Sequence, residues 1–114
     1  MAGLAERTCV PCRGGVPPLT ADQIRPLWAQ LDGWSVVDNH HLEKRYGLDN
    51  FAQALELVNR IGAIAEEQGH HPDLSLAWGR VEVKIWTHKI DGLTESDFIL
   101  AAKCDQAFAA MKQT

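Results

Sequence analysis

Two adjacent imidazoles, His70 and His71, stand directly before Pro72 and directly after an amphipathic stretch ending in Glu66-Glu67-Gln68-Gly69. An unperturbed histidine titrates at about 6.5, so paired rings can give and take protons near neutrality without a metal. Pro72 fixes one backbone angle and cannot continue a helix, which places the pair at a stiff corner between two elements. That is how a proton-transfer site is held. A third ring, His88, follows at the end of an alternating run, where its parity is opposite to that of Val81, Val83 and Ile85. Three imidazoles at one sheet edge would suffice for acid and base catalysis.

The same residues have plainer uses. A histidine pair at a helix end also binds the last carbonyls and favours the negative end of the helix dipole. Three histidines can ligate zinc, but neighbouring rings rarely point the same way. The chain also has no His-x-Glu and no second Cys-x-x-Cys, so no metal is expected. His40-His41 read as a solvated edge at a turn. Cys9-x-x-Cys12 is a lone thiol pair outside any strand-helix unit, which argues against a redox or zinc role, and Cys104 falls within a helical pattern as a core residue. Of Trp28, Trp34, Trp78 and Trp86, all suited to packing, Trp34 and Trp86 are kept as ring-stacking candidates.

The elements that must position these groups follow from capping and periodicity. Residues 1–18, rich in Pro and Gly around Cys9 to Pro18, have no regular period and read as an extended arm; residues 19–114 read as a single domain. Thr20 with Gln23 forms a capping-box pattern, with Leu19 and Ile24 as a staple, for a short helix running to about Leu31 with Pro26 inside it. Trp34 to Val37, Asp38-Asn39, and His40 to Tyr46 read as a hairpin closed by two residues that tolerate positive φ, with Leu42, Tyr46 and Leu48 on one face. Phe51, Ala54, Leu55, Val58, Ile61 and Ala65 then recur at helical spacing until Gly69 offers a left-handed cap. Leu74, Leu76 and Trp78 alternate, and after Gly79 Val81, Val83 and Ile85 resume opposite Glu82, Lys84, Trp86 and His88. That is a second hairpin. Thr94 with Asp97 repeats the capping pattern before a helix to near Lys112. The order α-β-β-α-β-β-α predicts an α+β fold: a four-stranded antiparallel sheet with three helices on one face.

Composition narrows the class. A chain of 114 residues and 12.6 kDa suits one core, burying about 65% of the unfolded surface. Net charge -4 and a pI near 5.6 give no electrostatic footprint for nucleic acid. No apolar run is long enough for a bilayer, the first residues lack the apolar core of a secretion signal, and three cysteines do not make a disulfide framework. A reducing, cytoplasmic setting is expected.

The pattern Glu66-x-x-x-His70-His71-Pro72, Trp78 after five residues, His88 after nine more and Asp97 after eight more resembles the signature of the pterin-4a-carbinolamine dehydratases, also called 4a-hydroxytetrahydrobiopterin dehydratases. It matches at every fixed position, and the element order extends the similarity over about residues 20–112. The resemblance implies a hydro-lyase that removes water from a 4a-hydroxytetrahydropterin to give the quinonoid dihydropterin, recycling the used cofactor of aromatic amino acid hydroxylases. It implies no metal or cofactor, His70 and His88 as general acid or base, and His71 as the group that positions the pterin. Glu66, one helical turn before His70, would hold that imidazole in its protonated form; Pro72, Thr87 and Trp34 would contact substrate, and Trp78 and Asp97 would be structural, the latter a cap. It also implies a homotetramer or homodimer. Two alternatives come with the likeness: a dimerisation cofactor for a transcription factor, as some animal members are, and a role in a molybdopterin-related pathway.

Overall fold

The computed structural model describes residues 3–9 and 16–112. The first helix, α1 (Ala21–Trp28), starts at the expected capping box: Gln23 N–H donates to Thr20 Oγ1 at 3.3 Å and Thr20 N–H to Gln23 Oε1 at 2.9 Å. It ends three residues before the predicted Leu31. The backbone tightens there, with Gln30 and Leu31 N–H bonding the carbonyls three residues back, and Trp28 Nε1 donates to Trp34 O at 2.7 Å.

Strands β1 (Ser35–Val37) and β2 (His41–Gly47) form the predicted hairpin, turning through Asp38 and Asn39 at φ 53° and 55°. Helix α2 (Phe51–Gln68) is capped by Asn50, whose side chain accepts from Gln53 N–H at 2.9 Å, and it stops at Gly69 with φ 64°. Its buried face is Ala54, Leu57, Ile61 and Ala65, rotated from the predicted stripe. Phe51 and Leu55, expected in the core, are 48% and 42% exposed. Strands β3 (Asp73–Ala77) and β4 (Arg80–Ile85) meet at a two-residue turn of Trp78 and Gly79, the latter at φ 72°. Trp78 therefore leaves the Leu74 and Leu76 alternation and stands 72% exposed.

All strand pairs are antiparallel in the order β1-β2-β4-β3, and the three helices cover one face, so the α-β-β-α-β-β-α expectation holds. Leu42, Tyr46, Val81, Val83 and Ile85 point to that side and are fully or almost fully buried. The last helix, α3 (Glu95–Met111), buries every residue from Ser96 to Ala101. A helix covered on several sides loses its polar face, and α3 packs against α1, α2, the sheet and the N-terminal segment at once.

That N-terminal segment departs from the extended arm predicted for residues 1–18. Leu4–Glu6 forms one 3-10 turn on α3, and Leu4 and Cys9 join the core. Lys103 Nζ donates to Ala5 O at 2.9 Å, Arg7 pairs with Glu95, and Cys9 N–H donates to Gln68 Oε1 at 2.9 Å. Burial of two apolar side chains outweighs the low local propensity of the segment. Cys12 and the rest of the Pro- and Gly-rich run to Gly15 lie outside the described residues.

Candidate active site

The left-handed turn at Gly69 decides where the paired rings go. Ending α2 there breaks helical spacing, so His70 does not stack over Glu66. It turns inward instead, half-buried, with Nε2 at 2.5 Å from Asp97 Oδ1. Glu66 reaches His71, with 2.5 Å between Oε2 and Nε2, and both side chains are largely exposed. The sequence-based reading of Glu66, one turn before His70, is corrected by this pairing: the carboxylate that holds His70 is Asp97.

Asp97 has no accessible surface. Its Oδ2 accepts from Thr94 N–H at 2.8 Å, the expected cap, and from Thr87 Oγ1 at 2.9 Å, while Oδ1 faces His70. A buried carboxylate needs such a set of donors, because an unpaired charge there would be costly. The cap and the imidazole partner are one side chain. Thr87 is buried, and its backbone pairs with Gly92, its N–H at 2.8 Å from Gly92 O. That bridge turns the chain, so β4 stops at Ile85 and His88 opens a 3-10 turn, His88–Ile90, in place of the predicted strand end.

The result is a cleft of about 240 Å³ lined by Gly69, His70, His71, Trp86, Thr87, His88 and Lys89. The three imidazoles of the motif meet there from two loops. Trp86, kept as a stacking candidate, lies with its ring centroid 4.4 Å from that of His88. Thr87, expected to contact substrate, lines the cleft as well, whereas Trp34 and Pro72 do not. Trp34 is 4% exposed in the core and donates from Nε1 to Asp105 Oδ2 at 3.0 Å, an anchor shared with Lys44 and Tyr46. Burying an indole requires a partner for its N–H, and Asp105 supplies one away from the cleft. Pro72 is half-buried and does not line the cleft, and Trp78 sits at its exposed turn.

His40 and His41, read from the sequence as a solvated edge, are partly buried instead, with side-chain exposures of 32% and 18%. Leu42 pairs with Ile85, so the next step outward sets His41 beside Trp86, and the ring centroids of His40 and His41 lie 5.4 and 5.9 Å from that of Trp86. Only the register of two hairpins distant in sequence brings them together. Among the described residues no group of three His, Cys, Asp or Glu side chains is arranged to hold a metal ion. The thiols of Cys9 and Cys104 are both pushed up, chiefly by burial, which suits packing and not nucleophilic chemistry.

Known proteins resemble this chain in sequence and in fold. A model of the family described as "Pterin 4 alpha carbinolamine dehydratase" matches residues 17–107. A relative from Rubrobacter xylanophilus named "Putative pterin-4-alpha-carbinolamine dehydratase" is 58% identical over 93% of this chain and 99% of its own. One of the same name from Alkaliphilus metalliredigens is 50% identical over 93% and 96%. Among solved structures, a transcriptional coactivator/pterin dehydratase from Brucella melitensis superposes with a TM-score of 0.75 at 30% identity, covering 79% of this chain and 97% of that one. A pterin dehydratase-like protein identified as a RuBisCO assembly factor shares the fold, with a TM-score of 0.58 at 22% identity over 67% and 89%. With a family match across most of its length and relatives at half identity or more nearly end to end, the chain belongs to the pterin 4 alpha carbinolamine dehydratase family.

Proposed function

We propose that this protein is a hydro-lyase that dehydrates a 4a-hydroxytetrahydropterin to the quinonoid dihydropterin by histidine acid–base catalysis. The observation that carries the reading is the meeting of His70, His71 and His88 in one cleft, with His70 backed by a fully buried carboxylate. The reaction breaks the bond from C4a to its hydroxyl oxygen, which leaves as water once protonated. A proton departs from the adjacent ring nitrogen, and its electron pair becomes the new double bond to C4a. One acid and one base are needed.

A carboxylate only accepts hydrogen bonds, so His70 Nε2 carries a proton toward Asp97, and the neutral ring offers its lone pair at Nδ1. That arrangement makes His70 the base, with Asp97 orienting the ring and stabilising the imidazolium that forms. His88, exposed at the cleft on the 3-10 turn, is the acid for the leaving oxygen. His71, held by Glu66, positions the pterin. Thr87 acts through Asp97 as a positioning residue. No step calls on a metal or nucleotide.

Purified protein treated with chelator should accelerate dehydration of synthetic 4a-hydroxytetrahydropterin, followed by the absorbance of the quinonoid product. A rate equal to that of buffer, with folded protein, sinks the reading. His70→Ala and His88→Ala should each lower turnover by roughly 10²- to 10⁴-fold, whereas His71→Ala should mainly raise KM.

A further inference from the structure

Beyond the three motif histidines, the cleft has a wall that the reaction as written does not use. Trp86 lines it, with His88 on one neighbouring turn and His40 and His41 on the tip of the other hairpin. His40 Nδ1 lies 3.0 Å from His41 Nδ1, His40 Nε2 lies 2.6 Å from Asp91 Oδ1, and His41 Nε2 lies 3.0 Å from Glu43 Oε2. Carboxylates accept only, so each Nε2 donates, and Asp91 and Glu43 fix the orientation of the two rings. Both rings pack against Trp86, tilted 40° and 56° to its plane with centroids 5.4 and 5.9 Å away, within the range of favourable aromatic contact. Asp91 is also the residue that closes the His88 turn, its N–H bonding His88 O at 3.3 Å. The hairpin tip, the indole and the turn carrying His88 are thus tied into one unit.

We propose that Trp86 is the platform against which the bicyclic ring of the substrate packs, and on which the flatter product stacks. His40 and His41, anchored by Asp91 and Glu43, are positioning residues that hold that indole. The inference rests on the pterin reading of the cleft and adds to it a specificity wall built from the first hairpin. A fused nitrogen heterocycle is the ligand class that such a wall selects, because packing on an indole is insensitive to hydrogen-bonding pattern while the imidazoles opposite supply the polar contacts. Held between Trp86 and the motif histidines, the ring would present its reacting edge to His70 and His88.

The test measures binding of oxidised pterin by calorimetry and steady-state dehydration of 4a-hydroxytetrahydropterin, on the full chain. Trp86→Leu should weaken pterin binding and raise KM by roughly 5- to 100-fold, the range of a lost aromatic stacking contact, and Trp86→Phe should recover most of the loss. His40→Ala trims a partly exposed side chain at a hairpin tip and Asp91→Asn an exposed one, and Asn tolerates the left-handed backbone of Asp91 at φ 51°, so both should fold. Each should raise KM several-fold and by more than it lowers kcat. In a Trp86→Leu background His40→Ala should add nothing further, because its effect runs through the indole. Pterin binding and turnover by the wild type that are indifferent to Trp86→Leu overturn the platform while leaving the dehydratase reading intact. Additive losses in the double variant overturn the positioning role. Wild-type protein that neither binds pterin nor dehydrates the substrate overturns both readings.

Discussion

Asp97 shows how much one buried side chain can be asked to do. It caps α3 through Thr94 N–H, accepts from Thr87 and orients His70, all without solvent contact. Asp97→Asn keeps the shape but removes the charge and turns one acceptor into a donor facing Thr87 or His70. Turnover should fall about 10²-fold or more at little change in KM, and stability should drop by about 1–3 kcal/mol, checked by kinetics and urea unfolding. Glu66 is the contrasting case. Its pair with His71 is exposed to solvent, where ion pairs contribute little, so Glu66→Gln should raise KM only slightly and leave kcat and the melting temperature nearly unchanged. A loss of turnover comparable with that of Asp97→Asn would show that Glu66 governs the chemistry as much as Asp97 does.

At the scale of elements, the N-terminal segment joins parts of the site that the sheet alone does not. Cys9 bonds Gln68, the last residue of α2 before the Gly69-His70 corner, and its Sγ donates to Ser96 O, next to Asp97. Leu4 is 3% exposed on α3. Leu4→Ala should therefore cost about 2 kcal/mol, lowering the melting temperature by roughly 5–10 °C, where an arm lying free of the core would cost nothing. Because burial raises the Cys9 and Cys104 thiols above their ordinary range, a smaller fraction is thiolate at any given pH. Iodoacetamide should label both slowly at pH 8 in native protein, faster as pH rises, and rapidly once urea unfolds the chain. Mass spectrometry of the two peptides reads this directly, and equal rates before and after unfolding would contradict it.

The whole molecule presents two unlike surfaces. The sheet face away from the helices mixes signs, with Arg45 2.9 Å from Glu82 and Glu43 paired in register with Lys84, so its field largely cancels. With net charge -4, the chain should not retard duplex DNA at about 0.15 M salt in a gel-shift assay. The helix side exposes Phe51 and Leu55 one turn apart on α2, and β1 and β3 are both sheet edges. Exposed apolar side chains and unpaired strand edges are the features that self-association covers. Light scattering should give a mass that is a multiple of 12.6 kDa, and Leu55→Asp should reduce it if α2 takes part.

Local rules decided a large part of this fold. Thr20 with Gln23, Asp38-Asn39, Gly69 and Thr94 with Asp97 each determine a cap or turn through their own side chain or backbone freedom, and each lies where the spacing predicts. Alternation on β2 and β4 assigned Leu42, Tyr46, Val81, Val83 and Ile85 to the core, because a strand has only two faces. The motif also singled out three imidazoles that the fold brings to one cleft. What remained depended on contacts between segments far apart in the chain. Helical spacing offered Glu66 to His70, and only the packing of α3 against the end of α2 put Asp97 there instead. Nothing near Trp34 in sequence announces Asp105 on α3, which draws its indole into the core and away from the cleft. The pairing of β2 with β4 set His40 and His41 beside Trp86, and a segment without period found a place on α3 because Leu4 and Cys9 could be buried there. Capping and alternation are settled within a few residues. Which carboxylate meets which imidazole is settled only when the elements close on one another.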